Sequence, residues 1–242
     1  MTASLRFRSA ALTDVGRKRE HNEDAVLDRP EIGLWAVADG MGGHGGGDVA
    51  SRTIVEELVR LAPPTSAAAF LDAFEASVSV AHDELRAFAR REGRGLVGST
   101  LAALLIFDNH FACVWCGDSR VYRWRGGKLD QVSHDHSEVQ ELIDRGALDK
   151  DDAKTWPRAN IVTRAVGASE ALELEIVDSP VAAGERFLLC SDGLSAHVDE
   201  PEIAAALAAG EPRVVCEALV GLTLKRGARD NVSVIVVFCD AV

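Results

Sequence analysis

The chain has 242 residues, 47% of them hydrophobic and 26% charged, a globular mixture that excludes a disordered, collagenous or fibrous chain. Its 26 Lys and Arg stand against 38 Asp and Glu, a formal net charge of −12, which argues against nucleic acid or an anionic membrane as partner because both call for a basic surface. The longest apolar run, residues 101–107, is far short of the ~20 residues of a membrane-spanning helix. Residues 1–16 carry Arg6, Arg8 and Asp14 and lack the apolar core of a secretion signal. A cytoplasmic location is expected.

In chain order, residues 5–12 and 34–38 read as strands. A glycine-rich stretch, residues 39–48, leads into a helix over 48–61 with Val49, Ala50, Ile54, Leu58 and Leu61 near helical spacing. Pro63-Pro64 separates it from a second helix over 66–91, whose one face carries Phe70, Phe74, Ala81, Leu85 and Phe88. Apolar runs at 100–107, 111–116 and 121–124 follow one another directly, with Asp108-Asn109 and Gly126-Gly127 as hairpin punctuation. Parallel strands need crossover helices between them, so the pattern points to antiparallel sheets with helices packed on them, an α+β domain. Residues 133–160 are polar, with one short helical pattern (Val139, Leu142, Ile143) and Trp156-Pro157; they read as an excursion from the core, a flap. Further strands are expected at 186–190 and 232–238. Two helices between them start near Pro201 and Pro212, since proline suits a first helical turn. No linker, repeat or low-complexity block divides the chain, and a single domain over 1–242 is expected.

The five cysteines show no metal or redox spacing. Cys113 and Cys116 fall within the run 111–116, and on a strand positions i and i+3 point to opposite faces. Buried free thiols are expected.

The aspartates are more informative. Asp39, Asp118 and Asp192 follow apolar runs, and Asp230 directly precedes one, so a rigid scaffold could aim all of them at one point. Carboxylates without thiolates suit Mg²⁺ or Mn²⁺ rather than zinc. Asp-Gly and Asp-Asn are also ordinary turn pairs, so the residues alone leave a plain-turn reading beside the metal one. The glycine-rich stretch 39–48 lacks the Lys-Ser/Thr ending of a P-loop; its glycines are expected to let backbone approach closely, and Asp48 to cap or favour the helix start. His134-Asp135-His136 reads as a solvated loop rather than a metal site, for want of a partner ligand.

Taken in order, the motifs resemble those of the metal-dependent protein phosphatases (PPM, type 2C-like). They are Thr13-Asp14-Val15-Gly16 with Arg19 and Asn22-Glu23-Asp24, Val37-Ala38-Asp39-Gly40-Met41-Gly42-Gly43-His44, Gly98-Ser99-Thr100 and Gly117-Asp118-Ser119-Arg120. Asp135-His136-Ser137, Asn160-Ile161-Val162-Thr163-Arg164-Ala165-Val166-Gly167, Ser191-Asp192-Gly193 and Asp230-Asn231 follow. The resemblance runs from about residue 6 to 239. It implies two stacked antiparallel sheets flanked by helix pairs, an α-β-β-α sandwich with metals at one end. It further implies that Asp39 bridges two Mn²⁺ or Mg²⁺ ions, with the Gly40 carbonyl on one of them and Asp192 and Asp230 on the other. Asp118 with Asp192 would hold a third, weaker ion, Glu23 and Asp24 would orient metal-bound waters, and Arg19 would grip the phosphate. The implied activity is hydrolysis of phosphoserine and phosphothreonine monoesters by in-line attack of a metal-bridged hydroxide.

Met41 stands where eukaryotic relatives carry a histidine, which leaves the proton donor open between His44 and a metal-bound water. The implied partners are phosphorylated proteins, a separate bacterial Ser/Thr kinase and its targets, with type VI secretion regulation one setting for stand-alone members; a monomer is expected. Two rival readings are an inactive module with the same fold, disfavoured because Asp39, Asp118, Asp192 and Asp230 are all present, and a phosphatase for small phosphomonoesters, which shares the chemistry.

Overall fold

The unbroken apolar runs have a structural cause, which is that their strands are covered on both faces. A computed structural model describes residues 5–43, 45–153, 156–158 and 160–242, with Lys150 and Asp151 in backbone only. One sheet runs β1 (Leu5–Asp14), β11 (Val232–Ala241), β10 (Arg186–Cys190), β7 (Arg120–Arg125), β8 (Lys128–Gln131). The other runs β2 (Asp24–Arg29), β3 (Leu34–Gly42), β5 (Leu101–Phe107), β6 (His110–Cys116), β9 (Glu175–Pro180), with β4 (Val97–Ser99) on the far end of β3. Every pairing is antiparallel.

The pleat sorts side chains into three apolar layers. On β3, Leu34, Ala36 and Ala38 face α1 (Gly46–Val59) and α2 (Ala67–Arg91), whereas Trp35 and Val37 enter the layer between the sheets. On β11, Ile235 and Val237 meet that central layer, and Val234, Val236 and Phe238 face α6 (Glu200–Ala209) and α7 (Pro212–Lys225). The result is the expected α-β-β-α sandwich. Cys113 lies in the central layer and Cys116 in the α1–α2 layer. All of the cysteines are free and buried, and desolvation pushes the Cys116 thiol up to about 12.

Local signals start the helices where expected. Ser66 Oγ accepts from the Ala69 N–H at 3.1 Å to cap α2, and Asp199 with Glu202 forms a capping box ahead of α6. Asp48 does not cap α1, since the cap residue is Gly45, in the left-handed region at φ 79°, but it lies in the first turn, where its negative charge favours the helix start, and it pairs with Arg52 at 2.8 Å one turn on.

Strands β2, β4 and β9 have no counterpart among the apolar runs of the sequence. β2 and β9 are sheet edges, where charged and exposed residues break the apolar pattern. The excursion is smaller than 133–160. Residues Ser133, Asp135, His136 and Ser137 are buried, and beyond them come the short helices α3 (Glu138–Asp144) and α4 (Lys150–Ala153). No described helix is long and apolar enough to cross a membrane.

Candidate metal centre

Chain ends of the inner strands deliver carboxylates to one end of the sandwich. Asp39 lies on β3, Asp118 in the β6–β7 connection, Asp192 at the start of the single turn α5 (Asp192–Ser195), and Asp230 two residues before β11. Asp24 opens β2 and sits directly opposite Asp39 in the β2–β3 register, a placement that like charges disfavour. Asp24, Asp192, Asp118 and Asp230 all act electrostatically on Asp39.

Burial, then mutual repulsion, makes ionisation of Asp24, Asp39, Asp118 and Asp192 costly. Asp39 is held well above the usual carboxylate range. Asp118 is pushed up to about 8, first by desolvation and then by Asp192; Asp24 and Asp192 rise to about 6, again mainly by desolvation. Asp24 and Asp118 are buried, whereas Asp39 and Asp192 keep one face open to solvent. Asp24 Oδ1 and Asp192 Oδ1 are buried without any hydrogen-bond partner. Asp118 and Asp192 line a cavity of about 200 Å³, which shares Asn160, Asp192 and Ala196 with an adjoining cleft of about 620 Å³ that also reaches Asp230.

Among the described residues, no three His, Cys, Asp or Glu side chains close into a finished chelate. The cluster is nevertheless suited to divalent cations. Its donors are hard carboxylate oxygens, some of them orphaned, and a cation offsets the burial and the repulsion that raise Asp24, Asp39, Asp118 and Asp192.

The backbone under Asp39 is fixed by the Gly98-Ser99-Thr100 and Gly117-Asp118-Ser119 segments. The Asp39 carbonyl accepts from Thr100 N–H at 2.8 Å and from Ser99 Oγ at 3.0 Å, and its N–H donates to Thr100 Oγ1 at 3.1 Å. Thr100 Oγ1 in turn shares a hydrogen bond of 2.7 Å with Ser119 Oγ. The Gly40 N–H donates to the Glu23 carbonyl at 3.1 Å. A Cβ on Gly40 would lie 1.9 Å from the Gly47 carbonyl oxygen, and one on Gly47 would lie 2.5 Å from Glu23 Oε1. Glycine is required at both for the Glu23 segment, β3 and α1 to meet.

Asn231, which in the sequence is only the last residue of the Asp230-Asn231 motif, organises the approach to the site. Its Nδ2 donates to the carbonyls of Val15 and His21, each at 2.9 Å, and its Oδ1 accepts the Glu23 N–H at 2.8 Å. The segment carrying Arg19 is thereby tied to the start of β11. Arg19 Nη2 donates to Asp230 Oδ2 at 2.7 Å, so the arginine expected at the phosphate lies on a candidate metal ligand.

The His134-Asp135-His136 segment corrects the solvated-loop expectation. Only His134 is exposed, paired with Asp144 at 2.7 Å. Asp135 is buried and takes Arg120 through both carboxylate oxygens at 2.6–3.0 Å. His136 Nδ1 accepts the Gly117 N–H at 3.0 Å, and its ring stacks on Trp115. These residues brace the connection that carries Asp118. A short sequence segment cannot reveal such partners, which come from strands far away in the chain.

With this geometry in place, comparison with known proteins decides the family: the protein phosphatase 2C profile matches residues 15–218. The chain belongs to the protein phosphatase 2C family. Serine/threonine protein phosphatase PstP of Mycobacterium tuberculosis is 36% identical over 235 residues, which is 96% of this chain and 45% of PstP. This chain therefore spans about half the length of that relative. Serine/threonine phosphatase stp of Listeria monocytogenes is 34% identical, with 94% of each chain covered. Among solved structures, PppA, described as a key regulatory component of T6SS in Pseudomonas aeruginosa, is 44% identical with a TM-score of 0.91, covering 98% of this chain and 100% of PppA. The catalytic domain of PstP has been solved in complex with two manganese ions, at 34% identity and a TM-score of 0.90, covering 98% of this chain and 100% of that one.

Within this 2C-family chain, Met41 continues β3 past Gly40 and lines a separate cavity of about 400 Å³ with Leu96 and Arg164. His44 lies outside the described residues.

Proposed function

We propose that the chain is a metal-dependent serine/threonine protein phosphatase that hydrolyses phosphoserine and phosphothreonine monoesters in proteins. The observation that carries this reading is the cluster of Asp24, Asp39, Asp118, Asp192 and Asp230 at one end of a 2C-type sandwich, with orphaned buried oxygens on Asp24 and Asp192. Asp39, the Gly40 carbonyl, Asp192 and Asp230 would hold two Mn²⁺ or Mg²⁺ ions, and Asp118 with Asp192 a third, weaker one. The two manganese ions of the PstP catalytic domain support the first two of these ions. Bound there, the cations supply a nucleophile near neutral pH and screen the phosphate charge.

The chain's own groups hold and orient. Asp24 shares a hydrogen bond with Ser191 Oγ at 2.8 Å and stands behind Asp39, while Glu23 is fixed through its backbone by Asn231 and Gly40. Arg19 offers a planar fork to two phosphate oxygens. Its present pairing with Asp230 is between half-exposed groups, a kind of contact worth only about 0–1 kcal/mol. A phosphate dianion offers the guanidinium two oxygens and more charge than the single Asp230 oxygen it now contacts, which favours exchange of Asp230 for the substrate.

The likeness to PppA supports a role in T6SS (type VI secretion) regulation, with a Ser/Thr kinase making the phosphoproteins that this chain would consume. The enzymatic reading is tested with a phosphothreonine peptide. Turnover should vanish with EDTA and return with Mn²⁺ more readily than with Zn²⁺, and Asp39→Asn should abolish it. Full turnover in metal-free buffer would overturn the reading.

A further inference from the structure

The cleft that reaches Asp192 and Asp230 has a rim unlike the rest of this acidic chain. The whole molecule carries a net charge of −12, yet Arg158, Arg226 and Arg229 line this one opening. Two of them are engaged: Arg158 pairs with Glu138 at 2.7 Å and Arg226 with Glu202 at 2.7 Å. Arg229 is exposed, and its guanidinium forms no ion pair among the described residues. Its backbone is fixed, because its N–H donates to His197 Nε2 at 3.3 Å. It follows Gly227 at φ 103° and Ala228 at φ 29°, a left-handed turn that is costly for alanine and needs the surrounding structure to hold it. Ala228 is itself fully buried, and its carbonyl accepts the Arg17 N–H at 2.9 Å, which brings exposed Arg17 and Lys18 beside the same turn. Trp156 and Ile161, each 38% exposed, line the same cleft.

We infer that this rim, with Arg229 as its free cation, selects phosphorylated protein segments that carry acidic residues beside the phosphoresidue. The inference rests on the protein phosphatase reading and names its substrate class. Arg229 adjoins Asp230, and an extended substrate advances about 3.3 Å per residue. Residues one to three places from the phosphoresidue therefore fall on the rim when the phosphate is at the carboxylate cluster. The cleft, about 620 Å³, accommodates such a segment, with the apolar wall against its side-chain stems. Charge complementarity favours Asp or Glu there and disfavours Lys or Arg.

The experiment compares two phosphothreonine peptides that differ only in flanking residues, Glu in one and Gln in the other, at low salt with Mn²⁺. Wild type should show a KM about threefold to tenfold lower for the Glu peptide, the range expected of one or two solvent-exposed charge pairs. Because each variant is read as its own ratio of Glu to Gln peptide, a general loss of activity cancels. Arg229→Ala should bring the ratio to within twofold of unity, Arg229→Glu should invert it, and Arg229→Lys should keep most of it. Fluorescence anisotropy with non-hydrolysable phosphonate versions of both peptides should reproduce the ratio as binding. Equal KM for the two peptides in wild type, or a preference that survives in Arg229→Ala, would overturn the inference while leaving the phosphatase reading intact. Hydrolysis of neither peptide would overturn the phosphatase reading itself, and the inference with it.

Discussion

Arg19 occupies a divided position. It contacts Asp230 now and is expected at the phosphate during turnover, so its replacement should separate substrate binding from metal binding. Arg19→Ala should raise KM for a phosphopeptide roughly tenfold to a hundredfold, matching the loss of a charge-assisted contact of about 1.5–3 kcal/mol. Arg19→Lys should recover only part, because a point charge cannot reproduce the fork. Removing a cation from Asp230 should leave Mn²⁺ affinity unchanged or tighter. Kinetics at saturating Mn²⁺ check this, and values of KM and kcat both within twofold of wild type would mean that Arg19 is not the phosphate contact. At this scale the sequence is legible wherever chemistry sits next to a structural boundary. Asp39, Asp118, Asp192 and Asp230 stand out because an acid beside an apolar run is conspicuous. Asn231, the Asp135–Arg120 pair and the packing of His136 on Trp115 do not, since each depends on a partner brought near only by the fold.

Elements buried on both faces were readable as continuous apolar runs, and helices α2, α6 and α7 through periodicity and their starting residues. Edge strands β2 and β9 were not, because acids such as Asp28 and Asp178 interrupt their apolar pattern, whereas edge strand β1 keeps the apolar residues Leu5, Phe7, Ala10, Ala11 and Leu12. The excursion after β8 divides into two parts of different character. Residues 133–137 are tied into the core by Asp135 and His136, whereas α3 has no buried residue and the cleft wall carries exposed Trp156 and Ile161. Exchanging residues 138–160 for the matching segment of a relative should therefore alter phosphopeptide preference far more than hydrolysis of a small aryl phosphate. Equal changes in both rates would mean that the segment is only structural. Extending the exchange back to 133 should destabilise the fold as well, seen as a lowered melting temperature.

For the whole molecule, the carboxylate cluster sets a dependence of stability on pH that cations should reverse. Asp24 and Asp192 bind protons in the folded state up to about pH 6 and Asp118 up to about 8, against an ordinary value of 3.8. Between those limits the folded protein binds more protons than the unfolded chain, so stability falls as pH rises. The contribution is fully present below about pH 4 and is lost progressively as pH passes through 6 and 8. EDTA-stripped protein should accordingly melt at a lower temperature at pH 8 than at pH 6. Saturating Mn²⁺ should raise the melting temperature most at pH 8, where the carboxylates are charged and the ion binds best. A flat or rising profile in EDTA would contradict the buried placement of these groups.

The most direct measurement is a calorimetric titration of Mn²⁺ into EDTA-stripped protein at pH 7, on wild type, Asp39→Asn, Asp192→Asn and, as a control on an edge strand, Asp178→Asn. If the cluster is the metal centre, wild type and Asp178→Asn should bind alike and release protons on binding, because carboxyls with raised pKa values must give them up. Asp39→Asn and Asp192→Asn should lose most of the affinity. Wild-type binding by Asp39→Asn, or no saturable binding by wild type, would contradict a metal centre at Asp39.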